Sequence, residues 1–158
     1  MTQLNHLIQR LSDAEIDFVI VGGFAGMLHG SSFVTRDLDV CAVLSSENVA
    51  KLRDALRDLN PTHRQTPQRL SFLENPAPDA EVKNPYLGTT LGPLDILSSI
   101  KGVGDYARVR EASVEVEIFG RRCRVISIED LIRAKESLGR PKDLLAAQEL
   151  RAILEQQK

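Results

Sequence analysis

The chain has 158 residues, 42% hydrophobic and 27% charged, which is enough to bury the core of one domain and unlike a disordered or fibrous composition. A net charge of −2 and a pI near 5.9 argue against strong nonspecific binding to nucleic acid. Two isolated cysteines, Cys41 and Cys123, do not make a disulfide framework or a zinc knuckle. No stretch approaches the roughly 18 apolar residues of a membrane span. Met1-Thr2-Gln3-Leu4-Asn5-His6 has no basic segment ahead of an apolar block. The expectation is therefore one cytoplasmic α/β (α+β) domain over residues 1–158, with a helical C-terminal part at about 127–156 and no membrane partner.

Leu4, Leu7, Ile8 and Leu11 recur at helical spacing and predict an amphipathic helix from about Thr2 to Glu15. Asp17 to Val21 reads as a mostly apolar first strand, central in its sheet. Gly22-Gly23 turns the chain into a short helix, Phe24 to His29, which Gly30 stops. After a loop from Ser31 to Arg36, Leu38 to Leu44 reads as a second strand. Ser45-Ser46 then caps a helix running to about Leu59, ended by Asn60-Pro61. A polar connection, Thr62 to Arg69, leads to a short strand Leu70-Ser71-Phe72-Leu73 and to a proline-bearing loop from Glu74 to Pro85. Tyr86 to Thr90 and Leu94 to Leu97 predict a hairpin around Leu91-Gly92-Pro93. Gly102 and Gly104 precede a short helix, Tyr106 to Arg110, and Val114 to Phe119 with Arg122 to Ile126 predicts a second hairpin. Ser127 followed by Asp130 resembles a capping box opening a helix that Gly139 closes. Pro141 suits the first turn of the last helix, where Leu144, Leu145, Ile153 and Leu154 are among the apolar positions.

The chemistry concentrates around the first glycine pair. Asp37 and Asp39 stand at i and i+2 of a strand and so project from one face. Two like charges side by side repel, and a divalent cation with a preference for oxygen, such as Mg²⁺, would remove that repulsion. Gly22 and Gly23 read either as a tight turn or as a place where a phosphate reaches backbone amides at a helix start. A dinucleotide site competes, since Asp39 lies near the distance of a ribose-binding acid, but Gly22-Gly23-Phe24-Ala25-Gly26 does not fit G-x-G-x-x-G. Asp95, inside an apolar strand, is either a buried hydrogen-bonded carboxylate or a third metal ligand. Lys135 falls on the apolar stripe of Ile128, Leu131, Ile132 and Leu138, so it either snorkels past the stripe edge or points inward to a triphosphate. Arg140 and Lys142 sit at a helix–helix junction, suited to surface ion pairing or to a nucleotide. His6, His29 and His63 show no ligand spacing, and Arg121, Arg122 and Arg124 form a hairpin run that is either solvated or in contact with an RNA acceptor.

The combination resembles the nucleotidyltransferase superfamily typified by DNA polymerase beta. More narrowly it is similar to the AbiEii-type toxins and the small bacterial nucleotidyltransferases. The matching stretches are Val21-Gly22-Gly23-Phe24-Ala25, Leu28-His29-Gly30-Ser31, Thr35-Arg36-Asp37-Leu38-Asp39-Val40, Leu131-Ile132-Arg133-Ala134-Lys135 and Gly139-Arg140-Pro141-Lys142-Asp143-Leu144. The resemblance implies a mixed sheet with flanking helices and a helical C-terminus. It implies Mg²⁺, two ions, on Asp37, Asp39 and Asp95 as catalytic carboxylates, and an NTP donor such as ATP on Gly22, Gly23, Lys135, Arg140 and Lys142. The acceptor hydroxyl would belong to RNA (tRNA included), a protein or a small molecule, and an antitoxin or a second copy of the chain would be the protein partner. The alternative is a catalytically silent fold that acts by binding another protein. The chain is shorter than the AbiEii-type toxins and has Phe33 where many relatives have Arg.

Overall fold

Strand β1 (Val19–Val21) is buried at all three residues and pairs on both sides, which is why its side chains are all apolar. The computed structural model describes residues 3–158. Helix α1 (Leu4–Asp13) precedes β1 and packs Leu7, Ile8 and Leu11 into the core; Thr2, in the predicted span of that helix, lies outside the described residues. Helix α2 (Gly22–Leu28) begins on the glycine pair itself rather than after it. Strand β2 (Leu38–Cys41) returns antiparallel to β1, with Val21 opposite Asp39. A dinucleotide-binding β-α-β unit needs parallel strands at this point, so the antiparallel return excludes it.

Helix α3 (Ser46–Leu56) starts where expected, with the Ser45 hydroxyl accepting the Asn48 amide at 3.2 Å, and a short 3-10 turn carries it to Leu59. Strand β3 is Thr62–His63, inside the stretch read as a polar connection. The strand expected at Leu70–Leu73 is not one: only Ser71 bridges, to Thr62, while Phe72 is buried as a core side chain. A two-residue strand is too short to show alternation, so periodicity carried no signal for β3. The loop from Glu74 to Pro85 is a loop, fastened by buried Arg53, whose guanidinium donates to the Phe72 and Pro76 carbonyls at 2.8 and 2.6 Å.

Strands β4 (Tyr86–Thr89) and β5 (Gly92–Leu97) form the predicted hairpin. A small ribbon, β6 (Ser99–Ile100) with β7 (Gly104–Asp105), was not expected; it leads into α4 (Tyr106–Glu111). Strands β8 (Val114–Ile118) and β9 (Arg121–Val125) make the second hairpin, and β9 runs parallel to β1. The sheet order is β3-β4-β5-β2-β1-β9-β8, with β2–β5 and β1–β9 parallel and the rest antiparallel, so the sheet is mixed.

Helices α5 (Ile128–Leu138) and α6 (Pro141–Gln156) close the structure and pack on each other. Ser127 caps α5 by accepting the Asp130 amide at 3.1 Å. The reciprocal half of a capping box is missing, because the Asp130 carboxylate, 1% exposed, is taken by Arg108 and Arg133 instead. In α6 the buried apolar positions are Ala147 and Leu150, whereas Leu144 and Leu145 are exposed at 46% and 56%. Among the described residues no helix is long and apolar enough to cross a membrane.

Candidate active site

The site lies at the end of β1, where the strand hands over to α2. Gly22 has φ +68°, a conformation open to glycine at little cost. A Cβ there would also run into the carboxylate of Asp39, whose own Cβ would stand 3.0 Å away. At Gly23 a Cβ would meet Thr35 Cβ at 3.0 Å. The space left by the missing side chains is thus filled from within: Asp39 occupies one and Thr35 the other. Thr35 also accepts the Asp37 amide on its hydroxyl at 3.2 Å, which sets the entry of the chain into β2. No side chain caps the amides that open α2.

Register brings the third acid alongside. Asp39 on β2 and Asp95 on β5 are direct partners in a parallel pair, so both carboxylates project from one face. Asp37, Asp39 and Asp95 line one cavity of about 410 Å³ together with Gly23, Lys135, Arg140 and Lys142. Gly22 lines a smaller cavity of about 150 Å³ that shares Asp39, Lys135 and Arg140 with it. Every residue singled out from the sequence for this chemistry is therefore brought together. Burial, with Asp95 and then Asp37 as like charges, pushes Asp39 up to about 6, against a smaller pull from Lys135 and Arg64. Lys135 lines the same cavity as the three carboxylates.

The surroundings include groups that the sequence did not reveal. Arg64, directly after β3, donates from both terminal guanidinium nitrogens to Asp95, Nη2 at 3.4 Å. Asp143, 1% exposed, lines the same cavity and is paired with Arg140 at 2.6 Å, so the ion-pair reading of Arg140 holds alongside its place in the wall. Asp143 stood within a motif noted for its neighbours; Arg64 stood in a stretch without pattern. Phe33 and Val34, exposed at 47% and 81%, form the apolar rim of the cavity. Their loop is tied to α6 through Glu149, which accepts from the Ser31 hydroxyl at 2.5 Å and the Ser32 amide at 3.0 Å. His29 is a packed histidine, its Nε2–H donating to the Ile126 carbonyl at 2.7 Å. The hairpin arginines are engaged too: Arg121 with Asp13 at 2.7 Å, Arg122 and Arg124 with Glu115 at 3.1 and 3.9 Å.

The donor set of Asp37 and Asp39 suits Mg²⁺, which is ordinarily held by one or two carboxylates and completes its shell with phosphates and water. A cation here would also relieve the crowding that makes Asp39 reluctant to ionise. Among the described residues no group of three or more His, Cys, Asp or Glu side chains is placed to hold a metal ion.

The fold has known counterparts. The lincosamide antibiotic adenylyltransferase LnuA, solved with lincomycin, aligns with TM-score 0.64 at 16% identity over 95% of both chains. A Thermotoga maritima protein assigned to the nucleotidyltransferases aligns with TM-score 0.56 at 17% identity over 99% of this chain and 96% of its own. The chain has the nucleotidyltransferase fold. A third example of that fold, the antibiotic-resistance factor ANT(2'')-Ia solved with adenylyl-2''-tobramycin, aligns with TM-score 0.50 at 16% identity over 96% of this chain and 98% of its own. No family model matches the chain, and no curated protein is similar to it in sequence.

Proposed function

We propose that the protein transfers an NMP group from an NTP to an acceptor hydroxyl and releases pyrophosphate. The observation that carries this reading is the cross-strand pair of Asp39 and Asp95, with Asp37 beside it and Lys135 facing it across one cavity. Asp37 and Asp39 would hold a divalent cation together with the triphosphate, and Asp39 with Asp95 a second. When bound, such ions neutralise phosphate charge and acidify an attacking hydroxyl. Lys135 would draw the phosphates inward, and the uncapped amides of α2 would face them. Lys142 adds a further cation on the same wall. The acceptor hydroxyl attacks the α-phosphorus, its proton passes to solvent, and the bond to pyrophosphate breaks. The chain's contribution is position and charge. Among the fold neighbours LnuA is an antibiotic adenylyltransferase and ANT(2'')-Ia an antibiotic-resistance factor, and the narrower likeness to AbiEii-type toxins rests on the motifs alone.

The test is incubation with Mg²⁺, each α-labelled NTP, total RNA and a panel of small hydroxyl acceptors. Label should reach an acceptor with the wild type and not with Asp39→Ala. Equal transfer by the variant would sink the assignment. Absence of NTP binding by calorimetry with Mg²⁺ present would point to the silent, protein-binding alternative.

A further inference from the structure

The donor half of the site ends at Asp95, but the sheet continues past it. Arg64 donates its amide to the Tyr86 carbonyl at 2.8 Å, Tyr86 is the register partner of Asp95, and Asp95 that of Asp39. Arg64, Tyr86, Asp95 and Asp39 therefore form one row across four neighbouring strand positions, and in a pleated sheet such a row shares a face. Gly88, two residues beyond Tyr86, leaves that face without a side chain. A Cβ at Gly88 would stand 3.4 Å from Arg64 Cγ and 3.5 Å from Arg69 Nη1, so two guanidinium side chains lie over the glycine.

The two arginines are not equivalent. Arg64 is anchored: Nη1 donates to the Leu87 carbonyl at 3.0 Å and to Asp95, and Nη2 to the other Asp95 oxygen. A guanidinium has five donors, so this arrangement leaves Arg64 with donors to spare while its plane is held in place. Arg69 is exposed, and its head lies over the glycine rather than on a carboxylate. Beside them the half-buried Tyr86 supplies an aromatic side chain. Planar guanidinium forks match the oxygens of a phosphate, and they repel a polycation.

We propose that this face of β4, between Arg64, Arg69, Tyr86 and Gly88, is the acceptor seat, and that it takes an acceptor carrying a phosphate beside its hydroxyl. The acceptor role rests on the nucleotidyltransferase reading, and the phosphate on the placement of Arg64 and Arg69. An acceptor of this kind differs from tobramycin, the product moiety in the ANT(2'')-Ia structure, which is a polyamine. Two sources share the chemistry, the end of an RNA strand and a small sugar phosphate.

Calorimetry on the full chain without NTP tests it, with ribose 5-phosphate and a short single-stranded oligoadenylate as probes and with ribose and tobramycin as controls. At least one phosphate-bearing probe should bind, and both controls should not. Oligoadenylate binding far tighter than ribose 5-phosphate identifies RNA as the source; comparable affinity identifies a small molecule. Arg69→Glu, on an exposed side chain, should weaken the bound probe by roughly tenfold or more. Gly88→Leu should weaken it by filling the seat without changing charge. The proposal is overturned if neither phosphate-bearing probe binds, if ribose binds equally well, or if both variants bind as the wild type does. The outcomes separate from those of the transfer assay. NMP transfer that depends on Asp39 without binding of these probes would sink the seat alone, whereas binding without transfer to any acceptor would sink the nucleotidyltransferase reading and leave a phosphate site with no acceptor role.

Discussion

The two ends of β1 carry cavities of similar size in which charge is arranged differently. At the Gly22 end, about 410 Å³ is lined by Asp37, Asp39 and Asp95 set side by side. Beyond Val19, a cleft of about 350 Å³ is lined by Asp17, Tyr106, Arg110, Glu115, Arg122 and Arg124 among others. In that far cleft the charges alternate in sign, and Glu115 is already shared between Arg122 and Arg124. At the site end burial, joined by like charges facing one another, pushes Asp39 up to about 6. Volume and charge content do not tell the two apart. What does is charge left uncompensated at a place that folding alone would have neutralised.

Mutation of one acid at each end separates the two cavities most clearly. Asp39→Ala should lower NMP transfer by at least about a hundredfold, in the range of removing a preorganised charge-stabilising group. Glu115→Ala should leave transfer within about twofold, since its pairs are exposed and such pairs contribute little. Comparable losses in a labelled-NTP assay would mean that the far cleft is part of the site.

Two glycines sharpen it next. Gly22 and Gly120 have nearly the same backbone, φ +68° and +74°, but a Cβ at Gly120 meets nothing within 4 Å while one at Gly22 meets Asp39. Gly120→Ala should cost about 1–2 kcal/mol by denaturant unfolding, the strain of a left-handed residue alone. Gly22→Ala should cost more than that and also abolish transfer, because Asp39 must move.

The acidity of Asp39 predicts a stability change of unusual sign. Its folded-state pKa is raised, so the folded chain holds that proton more tightly than the unfolded chain does. Stability from this group is full below about pH 4 and is lost as pH rises through about 6. Asp39→Asn should therefore stabilise the metal-free protein at pH 7 by about 1–3 kcal/mol, at roughly 1.4 kcal/mol per pKa unit discounted for partial exposure. The gain should vanish near pH 4 in urea titrations. Asp13 behaves in the opposite way, since Arg121 holds its carboxyl below the usual range, so Asp13→Asn gives no such gain. The smallest expected effect is at Lys135. Lys135→Ala should weaken NTP binding about tenfold without lowering stability, as removal of one charge-assisted contact does. Unchanged affinity would return Lys135 to the role of a snorkelling side chain.

Much of this was legible from the chain alone, and for a common reason. The glycine pair, Asp37-Leu38-Asp39, the caps at Ser45 and Ser127, and Lys135 on its stripe are all patterns within a few residues. Strand and helix periods dictate which of those neighbours share a face. Asp95 was legible as an anomaly, a carboxylate in an apolar strand. The place of Lys135, Arg140 and Lys142 in the cavity wall needed only that α5 pack against α2 and α6 against α5.

Other features had no local signal. Arg64 follows a strand of two residues, and its approach to Asp95 depends on β4 lying between them. The exposure of Leu144 and Leu145 reflects which face of α6 meets α5, not the hydrophobicity of α6 itself. The glycine pair is where the two levels meet. Its sequence announced a turn and an open approach, and local chemistry could say no more, because a missing side chain does not tell what fills its place. Tertiary packing decided that Asp39 and Thr35 fill it. Whether a position is a vacancy or a socket depends on residues brought in from β2 and the loop before it, and only the tertiary arrangement determines that.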